Sequence, residues 1–132
     1  MASPLLDALI IGGGPAGLSL ANYLGRQLFN AVVFDSGVYR NAPAKHMHNV
    51  LGFDHQNPEN LRAKARQDLQ RYETIKVEKK AIESVRKAED GVFEATDENG
   101  KTWRGKKLVL ATGVKDISPG IPGYEDCWGR GM

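Results

Sequence analysis

A glycine motif between an apolar run and a helical pattern restricts the fold more than any other feature of this sequence. Gly12, Gly14 and Gly17 have the spacing G-x-G-x-x-G, directly after the apolar run 7–11 and before a helical pattern at 18–26. Gly12 permits a tight turn, Gly14 lets the backbone approach a diphosphate, and Gly17 allows the helix to pack closely on the strand. The motif therefore predicts a strand, a turn and a helix whose N-terminus binds a dinucleotide.

A second apolar run, 31–35, ends in an acid 18 residues after Gly17. Asp35 is placed to accept both hydroxyls of a dinucleotide ribose. Without the glycines, a turn or helix-cap acid would be the better interpretation of this residue. Pro15 fits the first helical turn, where its missing N–H costs little. Together these segments predict a βαβ unit with a right-handed crossover.

The next segment, 36–57, has no sustained periodicity and is predicted to be a functional loop. Asn57-Pro58-Glu59 predicts a helix start with a cap, a first-turn proline and an acid at the positive helix end. Helical spacing predicts the core-facing residues of the two helices: Ala21, Leu24 and Leu28, then Leu61, Ala65, Leu69 and Tyr72. Four basic residues of the second helix are predicted to lie in water: Arg62, Lys64, Arg66 and Arg71. A third parallel strand is predicted at 75–77.

From residue 81 the hydrophobic period changes to two. The turn signals Asp90-Gly91 and Asn99-Gly100 predict a three-stranded antiparallel β-meander over 81–104. A meander in this place disfavours an ordinary NAD domain, in which helices often continue the fold.

Lys106 and Lys107 are predicted to open a separate buried strand at 108–113, beside the first strand. The predicted strand order is third, second, first, then this strand, whose outer edge is expected to be open to pairing with another chain. The fold class is α/β: a Rossmann-like parallel sheet with the meander as one crossover. The predicted domain covers 1–113, and 114–132 is an irregular tail.

Composition excludes several classes of function. The chain has 132 residues with 18 basic and 16 acidic side chains, a net charge of +2, which argues against a nucleic-acid partner. No apolar run reaches the roughly 18 residues of a membrane span. The N-terminal segment lacks the layout of a signal peptide, so a cytoplasmic location is expected. A single cysteine, Cys127, rules out a disulfide within the chain.

Several segments in this order and spacing carry a family resemblance: Ile10 to Gly17, Asp35 to Gly37, Arg40-Asn41, His48 to Gly52, Val109 to Gly113 and Ile121 to Tyr124. The sequence resembles the amino-terminal flavin part of pyridine-nucleotide–disulfide oxidoreductases of the thioredoxin-reductase kind. The closest likeness is to fungal thioredoxin-reductase-like flavoproteins, including dithiol oxidases of toxin biosynthesis. The resemblance implies an FAD-binding Rossmann-like fold.

The resemblance also implies roles for individual residues. Residues expected at the FAD diphosphate are Gly12, Gly14, Pro15, Ala16 and Gly17. Asp35 is expected at the adenosine ribose, and Ser36 is also expected to bind the cofactor. Residues expected along the flavin side are Arg40, Asn41 and Asn49. The backbone at Ala81 is expected at the adenine, and the strand end is expected to close over the cofactor through Ala111, Thr112 and Gly113. No residue of this chain is expected to be catalytic.

In such flavoproteins a Cys-x-x-Cys pair follows a stretch like Trp128–Met132, inside an inserted NADPH domain. This sequence is expected to lack the pair, the NADPH domain and the carboxyl-terminal segment, so that catalysis belongs to the parent architecture. NADPH, a dithiol, disulfide or thioredoxin-like substrate, and a homodimer are implied for that architecture. Two alternatives remain. One is a non-catalytic flavin-binding module or truncated pseudo-enzyme. The other is an NAD(P) dehydrogenase, which the meander and the lack of a catalytic pair disfavour.

Four further signals are given structural interpretations. Tyr72 and Lys76 match a short-chain dehydrogenase pair but are predicted to lie on a helix and a strand. His46 and His48 are interpreted as loop residues, not metal ligands. Cys127 is interpreted as a small tail residue. Six basic residues are interpreted as protection of strand edges: Lys79, Lys80, Arg86, Lys87, Lys106 and Lys107.

Overall fold

The βαβ unit predicted from the glycine motif is present. β1 (Leu5–Ile11) leads through the glycine turn into α1 (Pro15–Arg26), and β2 (Ala31–Phe34) returns parallel to β1. The structure, a computed structural model, describes residues 4–128. The part of the Trp128–Met132 stretch from 129 onward lies outside the described residues.

The remaining elements complete one mixed sheet on which the helices pack. They are α2 (Pro58–Leu69), β3 (Ile75–Glu78), β4 (Ile82–Lys87), β5 (Phe93–Asp97), β6 (Thr102–Leu110) and α3 (Tyr124–Cys127). The six strands have the order β3-β2-β1-β6-β5-β4. The first four are parallel, and β4, β5 and the start of β6 form the antiparallel meander. The predicted fold class and the predicted order of the parallel strands are confirmed.

Both faces of the central strands are buried, as continuous apolar runs predict. One face of β1 and β2 contributes Ile10 and Val33 to a core with α1 and α2. The opposite face contributes Leu9 and Phe34, which pack on Trp103 of the meander. The rings of Phe34 and Trp103 meet edge to face, with centroids 5.3 Å apart. The meander therefore covers the face that the helices leave open.

The prediction of a separate strand at 108–113 was wrong. β6 runs without a break from Thr102 to Leu110, and its pairing with β1 passes straight through Lys106 and Lys107. Two adjacent charged residues before an apolar run are typical of a strand start. In the structure both lysine side chains are exposed, but the backbone pairing with β1 continues through them. The first half of β6 also pairs with β5, whereas the half after Gly105 pairs, within residues 4–128, with β1 alone. Leu110 on this half is 65% exposed.

Three smaller expectations were also wrong. Leu28 is not on the core face of α1 but follows the helix, with φ 62° and an exposed side chain. The tail contains one helical turn, α3, so it is not wholly irregular. Arg62 and Arg66 were both expected in water, but Arg62 is buried on α2 and the Arg66 side chain is only 24% exposed. No helix within residues 4–128 has the length and apolar character to cross a membrane.

Candidate functional site

The turn between β1 and α1 is held by close backbone contacts that only glycine allows. Gly12 has φ 122°, and a Cβ there would lie 2.1 Å from the carbonyl oxygen of Ala111. A Cβ on Gly17 would lie 1.9 Å from the carbonyl oxygen of Gly12. These clashes are with backbone and cannot be relieved by a rotamer change. The two glycines therefore fix the start of α1 against the ends of β1 and β6.

Within residues 4–128, no side chain caps the N-terminus of α1. Its N-cap residue, Gly14, has no side chain that could accept a hydrogen bond, and the first turn contains no acid. A Cβ on Gly14 would have no atom within 4 Å. By contrast, α2 has the N-cap residue Asn57, whose side chain accepts a hydrogen bond from the Glu59 N–H at 2.8 Å. The positive end of the α1 dipole is thus left for an external acceptor.

The Asp35 carboxylate lies next to the glycine turn. A Cβ on Gly13 would come within 2.2 Å of the Asp35 carboxyl carbon, so the acid lies directly against the loop. The side chain is 5% exposed. It accepts one bond from the Gly37 N–H at 2.9 Å and one from the Tyr39 hydroxyl at 2.6 Å. Burial, and then this bond to Asp35, raise the pKa of Tyr39, which keeps the phenol a donor.

A cavity of about 860 Å³ opens beside this turn, within the size range of ligand sites. The carboxyl ends of β1, β2 and β6 all lead into it, as expected where parallel strands end. Twelve of the fourteen predicted site residues line it: Gly12, Gly14, Pro15, Ala16, Asp35, Ser36, Arg40, Asn41, Ala81, Ala111, Thr112 and Gly113. The other two do not: Gly17 is buried behind the turn, and Asn49 lies on the exposed part of the 36–57 loop.

Some predicted site residues already make hydrogen bonds within the protein. Arg40 makes two hydrogen bonds to Asp116, at 2.8 and 3.0 Å, across the cavity mouth. The Asn41 side chain accepts a bond from Arg62 at 2.8 Å. The Ala81 carbonyl accepts from the Glu98 N–H at 3.0 Å. A carbonyl oxygen has a second lone pair, so this bond still leaves Ala81 able to accept another.

Among the lining residues that sequence reasoning missed, Tyr39 and Arg62 contact each other. Both line the cavity, and the Arg62 guanidinium carbon lies 3.9 Å from the centre of the Tyr39 ring. Helical spacing places Arg62 away from the apolar stripe of α2, which is the usual sign of a solvated arginine. The loop residue that covers it is 23 positions earlier in the chain, and no local pattern predicts that contact.

The three histidines and Cys127 lie outside the lining of the cavity. His46 and His55 stack with ring centroids 4.4 Å apart, and His48 lies 3.7 Å from Asp54. In the described part of the chain no three His, Cys, Asp or Glu side chains are grouped to hold a metal ion. Cys127 is exposed on α3.

The remaining signals have structural explanations. Tyr72 follows α2 and packs against Gly25, while Lys76 lies in β3, so the two do not share a helix face. Three of the six basic residues form ion pairs with acids of the same sheet: Lys80 with Asp97, Arg86 with Glu94 and Lys106 with Asp7.

The cavity chemistry fits a dinucleotide cofactor. An uncapped helix N-terminus matches a diphosphate, and a buried carboxylate matches ribose hydroxyls. The Nη1 atom of Arg66 is buried without a hydrogen-bond partner, 3.8 Å from the Asp35 carboxylate. An unused donor thus lies beside the Asp35 carboxylate, which itself keeps unused acceptor capacity.

Comparison with known proteins agrees with this geometry. The family model for "Pyridine nucleotide-disulphide oxidoreductase" matches residues 6–131. The chain is 53% identical to a thioredoxin reductase, aclD, of Aspergillus oryzae, matching 100% of this chain and 42% of that protein. It is 51% identical to a thioredoxin reductase, sirT, of Leptosphaeria maculans, over 96% of this chain and 39% of that protein.

The fold of this chain is also similar to part of a longer protein of known structure. The crystal structure of an oxidoreductase from Agrobacterium tumefaciens superposes with a TM-score of 0.88 at 36% identity, over 93% of this chain and 41% of that one. The chain thus spans about two fifths of the length of the proteins it matches. The predicted resemblance is confirmed: the chain belongs to the pyridine nucleotide-disulphide oxidoreductase family and is similar to its thioredoxin reductases.

Proposed function

We propose that this chain binds FAD in the cavity beside the glycine turn. It would form the flavin-binding part of an oxidoreductase that passes electrons between NADPH or oxygen, FAD and a dithiol or disulfide. The observation that carries the proposal is the buried Asp35 carboxylate, which lies against the glycine loop and lines the cavity. Family membership supports the choice of a flavin over other dinucleotides.

The residues present suggest which groups would hold each part of FAD. The α1 N-terminus, from Gly14 to Gly17, would face the diphosphate, and Asp35 with Ser36 would face the adenosine ribose. The flavin side would be contacted by Arg40, Asn41 and Asn49, and the adenine by the backbone at Ala81. The strand end from Ala111 to Gly113 would close over the cofactor. When bound, the flavin accepts a hydride and passes on two electrons.

The wider activity is proposed for the parent architecture. The 132 residues contain one cysteine, so a Cys-x-x-Cys pair and an NADPH site would be supplied from outside them. A small dithiol or disulfide, or a thioredoxin-like protein, is the proposed substrate class. We also propose a cytoplasmic, homodimeric parent protein, which cell fractionation and light scattering test.

The visible absorption spectrum of the purified chain, followed by a titration with FAD, tests the proposal. Gly14→Ala is the matched variant. Among the glycines of residues 4–128, Gly14 alone combines a negative φ with no atom within 4 Å of its added Cβ. We expect an unchanged melting temperature and an affinity for FAD lower by at least about tenfold, because the methyl group would occupy the space of the diphosphate. Equal FAD affinity in both proteins would contradict the proposal.

A non-catalytic flavin-binding module is the second candidate function, favoured by the single cysteine. Steady-state turnover with NADPH and a disulfide separates the two, with the chain tested alone and together with the remainder of a parent reductase. Turnover that appears only with the added segments supports the oxidoreductase assignment. Bound flavin with no turnover in either case supports the module.

A further inference from the structure

A buried arginine joins α2 to the loop that follows Asp35. The Arg62 side chain is only 4% exposed, although it is charged. Its Nε donates to Glu59 at 3.0 Å, its Nη2 lies 2.9 Å from the same carboxylate, and its Nη1 donates to Asn41 at 2.8 Å. An arginine buried to this extent is costly unless it is paired and hydrogen-bonded, and here each of its three guanidinium nitrogens has a partner.

Tyr39 lies between Arg62 and Asp35. One face of the Tyr39 ring is covered by the Arg62 guanidinium, whose central carbon is 3.9 Å from the ring centre. The hydroxyl of the same ring donates to Asp35 Oδ2 at 2.6 Å. The three side chains form a series, in which the arginine fixes the ring and the ring fixes the carboxylate.

The remaining acceptor capacity of Asp35 has a defined arrangement. An ionised carboxylate has about two acceptor positions on each oxygen. The Gly37 N–H uses one on Oδ1 and the Tyr39 hydroxyl uses one on Oδ2. The Arg66 Nη1 atom is 3.8 Å from Oδ2, which is too far for a hydrogen bond. One acceptor position is therefore left on each oxygen, which suits two neighbouring hydroxyl groups.

We propose that Arg62 is a positioning residue, which acts through Tyr39 to orient the Asp35 carboxylate so that it accepts both hydroxyls of a ribose cis-diol. This inference rests on the proposed FAD site and adds to it a determinant of ribose specificity. In this proposal Arg62 acts through Tyr39 and not through a contact of its own with the ribose. Its contribution is the fixed orientation of the carboxylate, which a freely rotating aspartate would have to reach on binding.

The experiment compares the affinity for FAD with that for an FAD analogue lacking the 2′-hydroxyl of its adenosine ribose. The ratio of the two affinities reports the second hydroxyl–carboxylate bond alone. We expect the unaltered chain to prefer FAD by about tenfold, the usual effect of one hydrogen bond to a charged group. Tyr39→Phe keeps the ring under Arg62 but removes the hydroxyl, and should bring the ratio below about threefold.

Arg62→Met tests the next residue of the series and should lower the ratio to the same extent. Arg71→Met is the matched control, since Arg71 is exposed beyond the end of α2 and does not line the cavity. Its ratio should equal that of the unaltered chain. If Arg62→Met does not fold, Tyr39→Phe and Arg62→Lys still decide the matter, because lysine lacks the flat fork that covers the ring.

Each outcome is decisive. A lower ratio in Tyr39→Phe and in a folded Arg62 variant supports the inference. Equal losses of affinity for FAD and for the analogue, leaving the ratio unchanged, would show a merely structural role and overturn it, as would a higher ratio. If the unaltered chain binds neither compound, the proposed FAD site itself fails, and that result is distinct from failure of the variants alone.

Discussion

Two buried aspartates, Asp35 at the cavity and Asp97 in the meander, have opposite environments. Asp97 is fully buried and accepts bonds from Trp103 Nε1 at 3.1 Å and Lys80 Nζ at 3.2 Å. It also accepts from the N–H groups of Asn99 and Lys101, both at 3.0 Å. Asp35 accepts two bonds and lies against a cavity.

The difference teaches how a structural carboxylate is distinguished from a ligand-binding one. Four donors from the protein occupy the acceptor positions of Asp97, so its function is to hold the turn between β5 and β6. Half of the positions of Asp35 are left for a ligand. Both carboxylates are buried, so the number of unused acceptor positions, and not burial, separates their functions.

Asp97→Asn should produce the largest effect. An amide supplies one acceptor oxygen in place of two and puts an NH₂ group against Trp103 or Lys80, which are both donors. We expect a melting temperature lower by roughly 5–10 °C, measured by circular dichroism. Asp90→Asn, on the exposed turn between β4 and β5, is the control and should change the melting temperature little. Equal shifts of the melting temperature in the two variants would contradict the structural role of Asp97.

Asp35→Asn should lower the affinity for FAD more than it lowers stability. The unliganded melting temperature should fall less than in Asp97→Asn, because fewer bonds within the protein are lost. The affinity for FAD should fall by about tenfold to a hundredfold, since hydroxyl groups then face an amide instead of a charged acceptor. Calorimetric titration with FAD measures the affinity of the unaltered chain and of Asp35→Asn under the same conditions. A large loss of stability with unchanged affinity would make Asp35 a second structural acid.

Acid should destabilise the meander. The Trp103 indole N–H, followed by the backbone N–H groups of Lys101 and Asn99, lowers the pKa of Asp97 to about 2 despite its burial. A folded-state pKa below the unfolded value of about 3.9 means that this carboxylate stabilises the fold above pH 4. The stabilisation should be lost as the pH falls from about 4 to about 2. Melting temperatures measured over this interval should converge for the unaltered chain and Asp97→Asn.

The ion pair across the cavity mouth should produce the smallest effect. Hydrogen bonds from Arg40 lower the pKa of Asp116, but both side chains are substantially exposed, so water and salt screen the pair. Asp116→Asn should change the melting temperature by less than about 2 °C. The rate of FAD release, followed by stopped-flow fluorescence, should rise no more than about twofold. A larger rise in the release rate would show that the ion pair retains FAD in the cavity.

The parallel part of the fold was predictable because its signals are local. The glycine spacing, the apolar runs and the acid after β2 each depend on a few adjacent residues. They predict the βαβ unit, the strand order and most of the cavity lining.

What was not predictable depends on contacts between distant segments. Lys106 and Lys107 resemble a strand start, but pairing with β1, about a hundred residues earlier, carries β6 through them. The burial of Arg62 likewise depends on Tyr39 and Asn41 of the preceding loop. Spacing within α2 contains no information about that loop.

A crystal structure of the chain grown with FAD tests the central claim most directly. We expect the diphosphate at the N-terminus of α1 and both adenosine ribose hydroxyls within hydrogen-bond distance of the Asp35 carboxylate. The Asp97 carboxylate should keep its four donors unchanged. FAD bound elsewhere, or bound with its ribose away from Asp35, would contradict the account.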